Sequence, residues 1–202
     1  MTTQLNFINQ SNGNTVNVVI FQKNLSTKLE QEVVAWRVIG GSRPDDSFRF
    51  SFPPEVEMAV GDSFGDMTPM LQVSPGQSFH VRESSSGKEL AYLGLSTAKA
   101  SIQFRNDLPG GSVNANIYRG GNLLATKTGI APGQKTSFRF KPSIWIGVVS
   151  EIEEGDIMDS AIISQINTQL SLLGILYADI IMTGGGPGRT ATPFKFTLAN
   201  VR

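Results

Sequence analysis

The stretch LNFINQSNGNTVNVVIFQKN, residues 5–24, decides how the chain is read, because IQFRNDLPGGSVNANIYRGG, residues 102–121, repeats its pattern. At a constant shift of 97 (102 minus 5, and 113 minus 16), Phe7 meets Phe104, Asn9 meets Asn106, Gly13 meets Gly110, Val16 meets Val113, Asn17 meets Asn114 and Ile20 meets Ile117. Thr15 and Phe21 meet the related Ser112 and Tyr118. A second echo returns Ser47, Phe48, Arg49 and Phe50 as Ser137, Phe138, Arg139 and Phe140, at a shift of 90 (137 minus 47). Such self-similarity marks one unit of about a hundred residues written twice, with a few residues lost between the echoes. The boundary falls near residues 96–100, so the expected units are 1–97 and 98–202.

Inside the opening stretch, apolar residues alternate with Asn and Thr at the period of a half-buried strand, and residues 11–14 carry the Asn and Gly of a tight turn. A hairpin is expected from residues 5–9 and 15–21, and its echo from 102–106 and 113–118. Residues 23–32 read as a polar connection, with Leu25, Leu29, Val33 and Trp36 also compatible with one face of a short helix. The β-branched run 33–39 favours a strand. Further strands are expected at 47–52, 55–60, 70–73, 77–82, 89–93, 122–127, 136–140, 144–149 and 192–201, punctuated by Pro and Gly turns. Residues 157–182 fit two spacings. Ile166, Leu170, Leu173 and Tyr177 follow a helix, whereas Ile166, Thr168, Leu170 and Leu172 follow a strand; β-branched residues and Gly174 favour two strands bent at the glycine. The fold class expected from this pattern is all-β: two tandem pseudo-repeated antiparallel β-sandwich units.

With 17 basic and 17 acidic residues in 202, the chain has no net charge and no global field for phosphates, so nucleic acid is excluded as a partner. Near-neutrality also removes repulsion between copies, and a homo-oligomer is expected. Cysteine is absent, which eliminates disulfides, thiolate nucleophiles and sulfur-ligated metals. The first residues have neither a basic start nor an apolar segment, so a cytoplasmic protein is expected, with signal-independent release left open. The triplets Asn9-Gln10-Ser11 and Asn24-Leu25-Ser26 match the glycosylation pattern, which occurs often by chance.

His80 is the only histidine, and alternation places it on the wet face of a strand with Ser78 and Arg82. One histidine is too few for a His-based metal site. The glycines at 184–188 lack the helix of a dinucleotide loop and the Gly-Lys-Ser/Thr of a P-loop; Arg189 at the tip is a candidate anion contact. Glu151, Glu153, Glu154, Asp156 and Asp159 form the densest acidic cluster and the one candidate cation site, without the pattern of a calcium loop. Asn9, Asn17, Asn106 and Asn114 point away from the apolar face, where amides could bond sugar hydroxyls or a neighbouring strand edge. No cofactor and no catalytic residue are expected. The function expected is non-catalytic binding or self-assembly through sheet faces, edges and loops, toward a glycan or another protein. The alternative is a membrane-active protein using 157–182 as an amphipathic β-hairpin.

Overall fold

A computed structural model of the chain describes residues 1–13, 15–26 and 32–202. Strand makes up 56% of the chain and helix 5%, so the fold is all-β. In chain order the strands are β1 (Thr3–Asn9), β2 (Val16–Phe21), β3 (Val33–Val34), β4 (Arg37–Ser42), β5 (Ser47–Phe52), β6 (Val56–Asp62), β7 (Leu71–Val73), β8 (Gln77–Ser84) and β9 (Gly87–Leu95). They continue with β10 (Ile102–Asn106), β11 (Val113–Arg119), β12 (Asn122–Ile130), β13 (Lys135–Phe138), β14 (Ser143–Val149), β15 (Ile157–Met158), β16 (Thr168–Ser171), β17 (Tyr177–Gly185) and β18 (Thr192–Ala199). A six-residue helix, α1 (Ser160–Gln165), precedes β16, and a 3-10 turn at Gly188–Thr190 links β17 to β18.

The chain forms two units. The first gathers Met1–Gln22, Val34–Pro54 and Pro142–Arg202; the second gathers Lys23–Val33 and Glu55–Lys141. Neither coincides with the expected division at 97/98, because both units draw strands from both sides of it. In the first unit one sheet runs β18-β17-β1-β5 and the other β16-β14-β2-β4. Leu5, Phe7, Phe50, Ile180 and Met182 of one sheet, and Val18, Ile20, Ile144 and Ile146 of the other, are buried in its core. Trp36, in the gap between β3 and β4, lies edge-on to Phe50 and Phe52 with ring centroids 6.2 and 5.6 Å away. It splits the strand expected at 33–39 in two.

The second unit has the same plan. One sheet runs β9-β8-β10-β13, and in the other β12, β11, β6 and β7 are successive neighbours, with Val33 bridging to Ala125. Phe79, Val81, Ile102, Phe104 and Phe138 of the first sheet and Met58, Val60, Val113, Ala115 and Ile117 of the second are buried.

The sheets are not purely antiparallel: β1 pairs parallel with β17, and β10 parallel with β8. The expected opening hairpin does not form either. β1 and β2 lie in different sheets, as do their echoes β10 and β11, because each of the four strands already has two hydrogen-bonded neighbours within its own sheet. Of the turn expected at 11–14, Asn14 lies outside the described residues, as does 27–31 of the expected 23–32 connection.

The second echo is also placed differently. Leu5 opposes Phe50 and its echo Ile102 opposes Phe138, so the structural shift is 88 (138 minus 50), not 90. A slip of two residues leaves every side chain on the same face of a strand, so periodicity alone cannot detect it. Of the two strands expected over 157–182, β16 and β17 flank Gly174 (φ 76°), but Ser160–Gln165 forms the helix α1 where strand was expected. β16 and β17 belong to different sheets, and residues 157–182 form no hairpin. Asp159 caps α1 through Oδ1, which accepts from the Ile162 amide at 2.8 Å. No helix among the described residues is long and apolar enough to cross a membrane.

Candidate functional site

Parallel pairing of β8 with β10 sets His80 opposite Arg105 and Ser78 opposite Gln103; antiparallel pairing of β10 with β13 sets Arg105 opposite Lys135. Period-two alternation turns Phe79, Val81 and Phe104 inward and leaves these polar residues on one outer face. Asp107, just past β10, ties the row together. Its Oδ2 lies 2.7 Å from His80 Nδ1 and accepts from Arg105 Nη2 at 2.6 Å. The Arg105 hydrogen bond holds the Asp107 carboxyl below the usual carboxylate range, with the His80 bond adding to it against partial desolvation. In return Asp107 raises the Arg105 guanidinium. His80 is therefore not a freely solvated imidazole, since only 13% of its side chain is exposed. Ser78 Oγ donates to Gln103 Oε1 at 3.2 Å, and Arg82 forms a separate exposed pair with Glu89, also 3.2 Å. Ser78, His80, Gln103, Arg105 and Lys135 make a polar, cation-bearing strip that crosses the sheet from β8, the neighbour of edge strand β9, to β13 at the opposite edge.

A cavity of about 320 Å³ lies in the same unit, walled by Val60, Val81, Val113 and Met67 and rimmed by Asp62, Asp66, Thr68 and Lys88. Asp62 Oδ1 accepts from the amides of Phe64 and Asp66, and Oδ2 lies 2.5 Å from Lys88 Nζ. The Lys88 hydrogen bond depresses the Asp62 carboxyl. One oxygen of this carboxylate thus holds its own loop and the other holds Lys88 of β9.

In the first unit the comparable sheet holds a buried acid that sequence reasoning missed. Asp179, 5% exposed, accepts from Tyr177 Oη at 2.7 Å, Asn200 Nδ2 at 2.6 Å and Asn6 Nδ2 at 3.0 Å. The Asn200 hydrogen bond leads the forces that hold its carboxyl low, and the same carboxylate raises the Tyr177 phenol. An acidic residue inside the apolar run 177–182 was the available signal, since a buried carboxylate demands donors.

The four asparagines are structural. Asn9 and Asn106 are 0% exposed, not outward-facing. Each Oδ1 accepts the amide two residues on, Ser11 at 2.9 Å and Leu108 at 3.0 Å. Each Nδ2 reaches the end of another strand: Asn9 donates to Ser42 Oγ at 3.1 Å, and Asn106 to the Ile130 carbonyl at 2.9 Å. This is an Asx turn closed at both ends. Both the acceptor Asn9 and Ser11 of its glycosylation triplet are buried. Asn17 and Asn114, half-buried, sit at bulges and accept from the amides of Gly41 and Gly129 at 2.8 and 3.0 Å. Asn9, Asn17 and Asn106 thus have both ends of their amides engaged within the fold, and Asn114 its Oδ1.

Nor does the acidic cluster converge. Asp156 Oδ2 accepts from the Glu153 amide at 2.8 Å, Glu154 accepts from the Val38 amide at 3.4 Å, Asp159 caps α1, and Glu151 is exposed. Among the described residues no three Asp, Glu or His side chains are grouped to hold a metal ion. Asp156 and Asp159 are each taken up by a backbone amide three residues away in the chain, and Glu154 by the amide of Val38. Arg189 is exposed in the 3-10 turn. Comparison with known protein families, curated proteins and solved structures finds no match to this chain.

Proposed function

We propose that this is a non-catalytic β-sandwich protein of two pseudo-repeated units that associates with itself through an exposed sheet edge. The observation that carries the reading is strand β9. It is nine residues long, it ends the order β9-β8-β10-β13, and it exposes Tyr92, Leu93 and Leu95, the last 85% exposed. An edge of unpaired amides and carbonyls beside apolar side chains is what proteins ordinarily blunt with proline, bulges or charge. Here Lys88 and Glu89 guard one end; the other end carries a bulge at Leu93 but neither proline nor a charged residue from Ala91 to Leu95. A second copy is the partner this edge fits. Two β9 strands related by a two-fold axis pair antiparallel, each supplying what the other lacks, and zero net charge leaves little to oppose their approach. The cation-bearing strip of His80, Arg105 and Lys135, which crosses the outer face of that sheet from β8 to β13, is the face assigned to a hydroxyl-rich or anionic ligand, glycans included.

Light scattering during size exclusion tests the association. The native chain is expected to run as a dimer at micromolar concentration, and Leu95→Lys to shift it toward the 21.8 kDa monomer without changing its circular dichroism. A native chain that stays monomeric at high concentration rejects the proposal.

A further inference from the structure

We infer that the two units are half-exchanged copies, and that the buried surface presented by the opening strands of one copy takes as its partner the closing strands of another copy of the same unit. The inference rests on reading the units as pseudo-repeats, and it goes beyond that reading by saying which half recognises which.

Neighbour relations establish a one-to-one match between units. β1 lies between β17 and β5 as β10 lies between β8 and β13; β2 lies between β14 and β4 as β11 lies between β6 and β12. The outer strands follow: β18 corresponds to β9, and β16 to β7. Orientation agrees, since among the described residues β1 pairs parallel with β17 and β10 parallel with β8. Hydrogen bonds agree in detail. Asn9 O accepts from the Asp45 amide as Asn106 O accepts from the Gly133 amide, both at 2.7 Å. Asp46 Oδ2 accepts from the Arg43 amide as Gln134 Oε1 accepts from the Ala131 amide. Asp45 and Gly133 both have positive φ, 72° and 78°.

The chain order then reads as opening strands β1, β2, β4, β5; closing strands β6 to β9; opening strands β10 to β13; closing strands β14, β16, β17, β18. Two tandem copies would each close on themselves if β6 to β9 packed with β1 to β5. Instead the first unit combines the opening strands of the first copy with the closing strands of the second, and the second unit combines the remainder. A proline marks both crossings. Pro54 ends the segment Val34–Pro54 and Pro142 begins the segment Pro142–Arg202, at the same shift of 88 (142 minus 54) that relates Gly41 to Gly129. Proline fixes φ and holds the residue before it extended, so the chain runs onward after β5 and β13 rather than turning back on the strands just made. Exchange of an identical element between copies costs little, because every contact made is one the closed unit would also make.

The cysteine-free chain offers a direct test. Ser78 pairs in register with Gln103, whereas in an unexchanged fold it would pair with Asn6, the counterpart of Gln103 at the shift of 97. On mild oxidation Ser78→Cys/Gln103→Cys is expected to form an intramolecular disulfide in nearly all molecules, and Asn6→Cys/Ser78→Cys to form essentially none. The opposite pattern overturns the inference. As a second reading, a protease site inserted between Thr97 and Ala98 in the full chain is cut after folding. Residues 1–97 and 98–202 are expected to remain in one particle until denaturant is added, and their separation under native conditions overturns the inference as well. If the insertion prevents folding, the cysteine pairs decide alone. Neither readout depends on self-association through β9, so failure of one reading leaves the other standing.

Discussion

Asn9 and Asn106 spend both ends of their amides inside the fold, and the cost of removing them follows from that. Alanine at either position leaves the amide of Ser11 or Leu108 without its side-chain acceptor, and at 106 strips a donor from the Ile130 carbonyl as well. Each substitution is expected to lower stability by about 1–3 kcal/mol in urea titration, whereas substituting exposed Arg189 should leave the midpoint unmoved. The carboxylates carry a pH dependence with a defined sign. Asp107 and Asp179 titrate lower when folded than in the unfolded chain, so their stabilisation is complete above the unfolded value near ~3.9 and fades as pH falls through the lower folded values. The urea midpoint is therefore expected to fall below about pH 4, and Asp107→Asn to flatten part of that acid arm while lowering stability at neutral pH. An acid arm identical in the variant would contradict this assignment. At this scale the sequence shows residue type and spacing, and an asparagine at a strand end followed by a turn is as compatible with an Asx cap as with a ligand. What decides is whether a backbone amide comes within reach, which depends on strands far away in the chain.

Elements were legible where alternation is local. β5, β8, β9 and β18 fall close to their expected positions, and the 84–87 turn joins β8 to β9 as a hairpin. Pairing was not legible, because two half-buried strands joined by a short polar turn satisfy the same pattern whether they pair together or split between sheets. Glycine positions test the elements. Gly41 and Gly129, at φ 64° and 67°, hold matching bulges. Alanine at either is expected to cost about 1 kcal/mol, since the left-handed conformation disfavours a Cβ. Gly184 is more demanding. It has φ 93°, and a Cβ there would stand 2.2 Å from the Pro193 carbonyl oxygen. Gly184→Ala should therefore destabilise more than Gly41→Ala in thermal unfolding, and equal or smaller loss would show that the β17–β18 connection yields easily.

At the scale of the molecule, the composition of the units predicts which parts depend on which. Ending the chain after Gly174 removes β17 and β18, two of the four strands of one sheet in the first unit, and takes nothing from the second. Hydrogen exchange is expected to show lost protection at Phe7 and Val19 with protection kept at Phe104 and Ala115. Loss confined to neither unit, or falling on residues 98–141, would contradict the division. By itself the amino-acid order determined that this chain is built of strands, where most of them start and stop, that a pattern recurs, and that cysteine and net-charge chemistry are absent. These are properties of neighbours along the chain. Only the tertiary structure decided which opening strands take which closing strands, whether β1 and β2 pair, and that Asn9 and its echo Asn106 are buried. When two halves carry nearly the same pattern, the alternatives differ little in local preference, and the choice among them is made by long-range packing and by the extended path that proline imposes at each crossing.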